Sequence, residues 1–222
     1  THYAYHIKAG KEIFAAEGAF GQYLICFRDF PVAIGITAGA REYLAADICL
    51  KYMKEAISEP CNEEQLEAAE KALRAKLNSL SLVQPEGTFR TARKEAAKLF
   101  DRKILFTENP RKVESVVFTK EGYRIKIEAV INGEQKTLYA SYKAWKRNNL
   151  YPDDFTKKYQ SVAYAMDAEA LYLSVGLINT SYKEEYSLWV NSEDKVIATW
   201  RPNVTYLPEE PDMVWKFTGT FE

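Results

Sequence analysis

Few residues in this sequence are of the types that usually perform catalysis or bind metals. Its two histidines, His2 and His6, stand at the N-terminus, and no nucleotide-binding, zinc-binding or serine-hydrolase motif occurs in the chain. A strand containing both histidines would separate them by ~13 Å, too far to share one metal ion. These features favour a non-catalytic protein that needs neither a metal nor a cofactor.

Thr1 is the candidate for nucleophilic catalysis. An N-terminal threonine can attack a carbonyl carbon with its own α-amino group as the general base. The sequence gives no dependable match for the acid and the lysine that would stand beside such a nucleophile. An N-terminal threonine hydrolase is our third hypothesis, and we favour an incidental N-terminus as the explanation of Thr1.

Two basic segments, residues 90–112 and 142–151, could bind an anion. In the first, cations recur every four positions and would share one helix face; they are Arg90, Lys94, Lys98 and Arg102. In the second, cations alternate with aromatic rings, as in proteins that bind single-stranded nucleic acid; the residues are Lys143, Trp145, Lys146 and Arg147. The first pattern is also explained by a solvated helix face without a ligand. The second is also explained by an amphipathic element with Trp145 and Leu150 inward. Nucleic-acid or phosphate binding is our second hypothesis.

The aromatic content is the most unusual property of the chain. It has 15 Tyr, 11 Phe and 4 Trp, and every Trp lies in the second half. Tyr and Trp are enriched at protein interfaces because they are apolar and still form hydrogen bonds, although they are also good strand residues. Our leading hypothesis is therefore a protein-interaction module or a self-assembling structural subunit, whose partner is a protein or another copy of the chain.

Charge and size exclude several other classes. The 30 Lys and Arg nearly balance the 31 Asp and Glu, which excludes a basic field over the whole protein. A chain of 222 residues with 47% hydrophobic residues can bury a core without a metal or a disulfide. Three cysteines without a CxxC pair argue against a disulfide framework and predict a cytoplasmic protein. No apolar run is long enough to span a membrane.

The first half of the chain predicts strands followed by three helices. Short apolar runs punctuated by Gly and Pro predict four strands, at residues 3–8, 11–16, 22–28 and 32–36. A largely apolar helix over residues 40–57 should be buried. Asn62 and Gln65 predict the capped start of a second helix. A third helix, from residue 88 or 89 to about 102, would bury Phe89, Ala92, Ala96, Leu99 and Phe100.

The second half predicts an antiparallel sheet. Residues 113–119, 123–131 and 135–142 alternate as strands, and Asn132-Gly133 is a strong hairpin signal. Tyr123, Ile125, Ile127, Ala129 and Ile131 should share a buried face. Further strands are expected at residues 168–178, 186–190, 195–200 and 214–221, and residues 143–158 are expected to form a short helix or a loop. The prediction is one compact α+β domain over residues 1–222, possibly divided near residues 108–112, in which N-terminal strands and a C-terminal, mainly antiparallel sheet frame a central three-helix block.

Overall fold

The computed structural model describes residues 6–40, 44–58, 61–87, 94–204 and 213–222. The chain divides into two compact units, Thr1–Val83 and Gln84–Glu222. Residues 108–112, where we expected a possible boundary, lie inside the second unit. Thr1, Arg90 and the expected start of the third helix lie outside the described residues.

The first unit contains a four-stranded antiparallel sheet. Its strands follow chain order across the sheet and are β1 (His6–Ala9), β2 (Ile13–Gly18), β3 (Gln22–Phe27) and β4 (Ala33–Ile36). Alternation buries one face, where Ala15, Tyr23, Ile25 and Phe27 form a small core. Leu50 and Met53 of helix α1 (Leu44–Ser58) pack against that core. The four strands predicted here are confirmed in residues 6–36.

The helices of the first unit are more exposed than their sequences suggest. Within the described residues 47–58 of α1, no side chain is buried, and Ile48 and Tyr52 are more than half exposed. The prediction of a buried helix is therefore wrong, because few of its apolar side chains reach the sheet. Helix α2 (Glu63–Ser79) also has no buried residue. No helix in the described part of the chain has the length and apolar character needed to cross a membrane.

The start of α2 is confirmed by its hydrogen bonds. The Asn62 side-chain oxygen accepts from the Gln65 backbone N–H at 2.9 Å, and the Gln65 side-chain oxygen accepts from the Asn62 backbone N–H at 3.0 Å. This reciprocal capping box satisfies two backbone donors that the first helical turn leaves free.

The second unit is a closed barrel of nine strands. Around the barrel the strands are β11 (Ala170–Leu177), β12 (Lys183–Val190), β13 (Val196–Pro202), β14 (Trp215–Phe221), β5 (Lys103–Phe106), β6 (Val113–Glu121), β7 (Arg124–Ile131), β8 (Glu134–Tyr142) and β10 (Tyr159–Met166), which pairs with β11 again. Strand β9 (Lys146–Asn149) pairs with β10 beside this ring. Neighbouring strands are antiparallel except for a short parallel pairing of β8 with β10.

Period-two alternation sends one set of side chains into the barrel. In β7, Ile125, Ile127 and Ala129 are buried, while the intervening Arg124, Lys126 and Glu128 are not. The buried face predicted for this strand is confirmed for these three residues, whereas Ile131 is only partly buried and Tyr123, just before the strand, is 70% exposed. The predicted hairpin is confirmed as well, because Asn132 and Gly133 connect β7 to β8 with φ values of 51° and 77°.

The predicted α+β fold with a central three-helix block is wrong. The structure is 47% strand and only 17% helix. The third helix, α3, covers only Lys94–Ala97. Beyond it the chain leads into the barrel: Leu99 is fully buried, and Phe100 bridges to Phe118 before β5 begins. The apolar spacing that predicted a longer helix reflects this burial against the sheet.

Strands β5, β9 and β10 were not predicted. β5 and β9 have only four residues each, and β10 is buried in an almost unbroken run instead of alternating with period two. Residues 143–158, expected to form a helix or a loop, contain β9 and then a loop. Strands β5 and β10 are needed to close the barrel, so missing them concealed the architecture.

The connection between β10 and β11 is held by the Asp167 carboxylate. One of its oxygens accepts from the backbone N–H groups of Glu169 (2.8 Å) and Ala170 (2.7 Å), and the other accepts from the Tyr172 hydroxyl (2.6 Å). Partial burial raises the pKa of Asp167, but these hydrogen bonds outweigh it and lower that pKa below its ordinary value. The hydrogen bond to Asp167, together with burial, raises the pKa of Tyr172 to about 12.

We expect the stabilising contribution of Asp167 to disappear in acid. Since its pKa is lowered by folding, the contribution is present above the unfolded-state pKa of about 4 and is lost as the pH falls through the lower folded-state value. The free energy of unfolding of the wild type should exceed that of Asp167→Asn at pH 7, and the difference should shrink towards pH 2. Urea denaturation at several pH values measures it, with the exposed Glu169→Gln as the control. A difference independent of pH would contradict the prediction.

Candidate ligand-binding cavity

The inward side chains of the barrel leave a cavity of about 120 Å³. Most of its lining is aliphatic or aromatic and comes from strands all around the barrel; Val116, Phe118, Ile127, Leu138, Val162, Leu173, Leu188, Ala198 and Phe217 are examples. The cavity therefore lies within the main hydrophobic core of the second unit. Such a lining favours an apolar occupant.

One part of the lining is polar. It consists of Arg111, Tyr151, Gln160, Glu184 and Tyr186, which we call the polar corner. Glu184 and Tyr186 are two positions apart on β12, so both face inward with Leu188 and Val190 of the same strand. A strand that is otherwise apolar on its inner face thus places a carboxylate and a phenol against the cavity.

Arg111 belongs to the turn that connects β5 to β6, and buried Asn109 organises that turn. The Asn109 side-chain amide donates to the carbonyls of Thr107 (2.9 Å) and Val113 (2.7 Å), and its oxygen accepts from the Val113 N–H at 3.0 Å. Lys112 adopts a left-handed φ of 51° within the same turn. These bonds fix the backbone on both sides of Arg111 and so hold its side chain at the cavity.

Arg111, Tyr186 and Glu184 form a closed set of interactions. An Arg111 terminal nitrogen lies 3.1 Å from the Glu184 Oε2 oxygen, and Arg111 Nε donates to the Tyr186 hydroxyl at 3.3 Å. The Tyr186 hydroxyl in turn donates to Glu184 Oε2 at 2.8 Å. The Glu184 side chain is 9% exposed and that of Arg111 is 32% exposed. The cavity therefore contains one cation and one anion in direct contact.

The surroundings keep Tyr186 and Arg111 protonated near neutral pH. Burial and the adjacent Glu184 carboxylate raise the pKa of the Tyr186 phenol, so it remains a hydrogen-bond donor. Burial alone would lower the pKa of Arg111, but the Tyr186 and Glu184 oxygens outweigh it and the pKa of Arg111 is raised. Arg111 accordingly stays charged and paired.

Two other polar groups in this region have no hydrogen-bond partner among the described residues. Gln160 lines the cavity at 7% exposure, and no hydrogen bond to its side-chain amide is found there. The indole Nε1 of Trp200, whose ring lies 5.4 Å from the Arg111 guanidinium, is buried without an acceptor. An unpaired buried polar group costs about 1–3 kcal/mol, which applies to Trp200 Nε1. The Gln160 side chain lines the cavity and is available to a polar atom of a ligand or to a water molecule.

An open groove of about 730 Å³ lies at the same connection between β5 and β6. Residues 106–110, 112–114 and Asn132 line it. Phe106 and Val113 line both the groove and the cavity. These two side chains therefore stand between the cavity and the outside at this end of the barrel.

The basic residues predicted near α3 are not part of the cavity lining. Lys98 forms an ion pair with Glu95 at 2.6 Å, and Arg102 stacks on the Phe221 ring at 3.5 Å with Asp194 4.0 Å away. The hydrogen bond to Glu95 raises the pKa of Lys98. Exposed Lys94 is in α3 itself. Because the helix ends at Ala97, these residues do not share one helix face, and anion binding by them stays an untested prediction.

The second predicted basic segment lies on and around β9. Lys143 is in the turn before it with φ 49°, Trp145 and Lys146 are half-buried, and the Arg147 guanidinium lies 3.9 Å from the centroid of the Tyr159 ring. None of these four residues lines the cavity. Leu150 is buried and does line it, which agrees with the alternative of an amphipathic element for Leu150 but not for Trp145.

The polar corner was missed by sequence reasoning. Arg111 was counted only as one of several local cations, and the predicted strand began at Tyr186, which excluded Glu184. The signal was present in the alternation of Glu184, Tyr186, Leu188 and Val190, which places all four on one face.

Among the described residues, no group of three His, Cys, Asp or Glu side chains could hold a metal ion.

Comparison with known proteins gives structural likeness only. No family model and no curated protein matches the chain. Similar solved structures include the fatty-acid-binding protein of Manduca sexta (10% identity, 55% of this chain and 98% of that one, TM-score 0.41). Another is lipid binding protein 8 of Caenorhabditis elegans, with 7% identity over 59% of this chain and 100% of that one and a TM-score of 0.44. A third is the fatty acid transporter REP1-NXSQ, with 12% identity over 57% of this chain and 97% of that one and a TM-score of 0.41. At these TM-scores the likeness carries no argument about what this chain binds.

The functions predicted from the sequence are contradicted by the barrel and its cavity. They were an interaction module or structural homo-oligomer, a nucleic-acid or phosphate binder, and a threonine hydrolase. They rested on missing motifs and on residue patterns that are typical of protein surfaces. The second unit is instead a barrel with a mainly apolar cavity among its inward side chains. The abundant aromatic residues serve the barrel: Trp200 and Trp215 stack at 4.4 Å between β13 and β14.

Proposed function

We propose that the second unit binds one small, largely apolar molecule in its barrel cavity. The observation that carries this proposal is the cavity itself, which is lined mainly by inward apolar side chains and has a single polar corner. A mainly apolar concave site with a few convergent polar groups is the usual form of a small-molecule site. The uncommitted side chain of Gln160, which lines the cavity, supports an occupant that also forms a hydrogen bond.

The cavity volume limits the size of this molecule. An engineered apolar cavity of ~150 Å³ binds benzene, whereas pockets for drug-sized ligands occupy ~300–1,000 Å³. The cavity of about 120 Å³ therefore suits a ligand of one aromatic ring or a short alkyl chain. Transfer of such a ligand from water gains ~25 cal/mol for each Å² of apolar surface buried.

The test is ligand binding to the full chain. Toluene and benzyl alcohol should each stabilise the second unit, since a ligand that binds only the folded state raises its stability. Thermal unfolding followed by tryptophan fluorescence reports on that unit alone, because Trp145, Trp189, Trp200 and Trp215 all belong to it. Isothermal titration calorimetry supplies the stoichiometry, which should be one.

A blocking variant shows where the ligand binds. Ala198 is 1% exposed and lines the cavity, so Ala198→Leu places three extra carbon atoms inside it. We expect this variant to lose binding, and Ala129→Leu on another strand to do the same. Thr137→Leu adds apolar bulk at an exposed position of β8 and should bind as the wild type does. If neither ligand binds the wild type, or if both blocking variants bind unchanged, the proposed function is wrong.

The three free thiols, Cys26, Cys49 and Cys61, support the proposal of a cytoplasmic location.

A further inference from the structure

We infer that the cavity selects an uncharged ligand with a hydrogen-bonding group and discriminates against carboxylates and ammonium ions. The inference rests on the proposed function and specifies its ligand class. It follows from the contact between Arg111 and Glu184, because a pair of opposite charges in the cavity wall offers a ligand no single net charge to bind.

Arg111 alone would form an anion site, but Glu184 already occupies it. The guanidinium uses its Nε–H for the Tyr186 hydroxyl and a terminal nitrogen for the Glu184 carboxylate at 3.1 Å. A ligand carboxylate would lose its hydration on entering, and it would meet the Glu184 carboxylate beside the guanidinium. A ligand ammonium would meet the same obstacle from Arg111. Since the pair has no net charge, a neutral ligand leaves no charge uncompensated.

The hydrogen-bonding group of the ligand follows from Gln160. The side-chain amide of this residue can donate and accept, it lines the cavity, and it has no partner among the described residues. Tyr186 is already committed, since its hydroxyl donates to Glu184 and accepts from Arg111. A hydroxyl, carbonyl or amide on the ligand can pair with Gln160, whereas a pure hydrocarbon leaves the amide unpaired.

Three ligands of nearly one shape test the charge selectivity. Benzyl alcohol, benzoate and benzylammonium differ mainly in the charge of the group attached to one ring. At pH 7, calorimetry on the wild-type full chain should show binding of benzyl alcohol. Benzoate and benzylammonium should bind more weakly by about a factor of ten or more, because each adds an uncompensated charge to the cavity. Toluene should bind more weakly than benzyl alcohol, because it leaves the Gln160 amide unpaired.

The variant Glu184→Gln tests the effect of the Glu184 charge at nearly constant side-chain shape. This variant keeps the side-chain size and frees the positive charge of Arg111, so benzoate affinity should rise by about a factor of ten or more. Glu185→Gln is the matched control, since Glu185 is the neighbouring carboxylate on the exposed face of β12, paired with Lys183 at 2.7 Å. It removes the same charge from the protein and should leave the preference for benzyl alcohol unchanged.

The outcomes distinguish the inference from the proposed function. If no ligand of the series binds the wild type, the proposed function itself is wrong. If benzyl alcohol and benzoate bind the wild type equally well in a manner that Ala198→Leu abolishes, the cavity binds ligands but the inferred selectivity is wrong. A rise in benzoate binding in both Glu184→Gln and Glu185→Gln would overturn the assignment to the Arg111–Glu184 pair. The wild-type comparison decides the inference even if Glu184→Gln does not fold.

Discussion

Phe118→Ala is expected to lower the free energy of unfolding of the second unit by about 3–5 kcal/mol. Phe118 is 2% exposed and lies in the main core, where its ring is 6.3 Å from that of Phe100. Removal of the ring loses its burial and leaves unfilled space, because strands fixed by their hydrogen bonds close in only partly. Phe118 pairs with Ile127 across two central strands of the barrel, which further limits such collapse.

The measurement is urea denaturation of wild type and variant, followed by tryptophan fluorescence. Phe155→Ala is the matched control: Phe155 is 74% exposed in the same unit, so the same atoms are removed without opening a cavity, and we expect a loss below about 1 kcal/mol. Because Phe118 also lines the cavity, its replacement should enlarge the site and admit a two-ring ligand such as naphthalene. A loss for Phe118→Ala as small as that for Phe155→Ala would contradict the packing described here.

The parts of the fold that could be predicted from the sequence are those fixed by local chemistry. Asn132 and Gly133 tolerate the left-handed backbone that a two-residue hairpin needs, so they identify the β7–β8 turn without any tertiary information. Asn62 and Gln65 identify the start of α2 in the same way, through bonds within one helical turn. Alternation in β7 identifies its buried face.

Closure of the barrel could not be predicted because it depends on pairings between distant residues. Gly219 of β14 pairs with Phe106 of β5, and Ser141 of β8 pairs in parallel with Ala163 of β10. Periodicity shows that a segment is a strand but does not show which strand is its neighbour. The cavity exists only once these pairings form, so its lining could not be assembled from single strands.

The overpredicted third helix has a related cause. Ala96, Leu99 and Phe100 are spaced as on a helix face, and Ala96 and Leu99 are indeed buried. Their burial is against the barrel, and the helical hydrogen bonds stop near Ala97 because the following residues pair with β6 instead. Tertiary pairing thus overrides a local pattern that is compatible with both structures.

Glu184→Leu is expected to destabilise the second unit by about 2–3 kcal/mol. Removal of one member of a buried ion pair costs ~3–5 kcal/mol, and solvent contact of Arg111, which is 32% exposed, reduces this. The variant leaves a guanidinium and the Tyr186 hydroxyl without their acceptor. Glu185→Leu, on the exposed face of the same strand, is the control and should change stability by less than about 1 kcal/mol, as is usual for surface pairs.

Replacement of Arg111, Glu184 and Tyr186 together distinguishes a role in stability from a role in ligand selection. Arg111→Met/Glu184→Leu/Tyr186→Phe removes both charges and the hydroxyl together, so no member remains unpaired. Apolar replacements of buried ion pairs are often neutral or stabilising, and we expect this variant to lie within about 1 kcal/mol of the wild type by urea denaturation. A loss larger than that of Glu184→Leu would show that the set mainly stabilises the barrel. If the triple variant is instead as stable as the wild type, folding does not require the pair, and its position in the cavity wall is explained by the ligand that it selects.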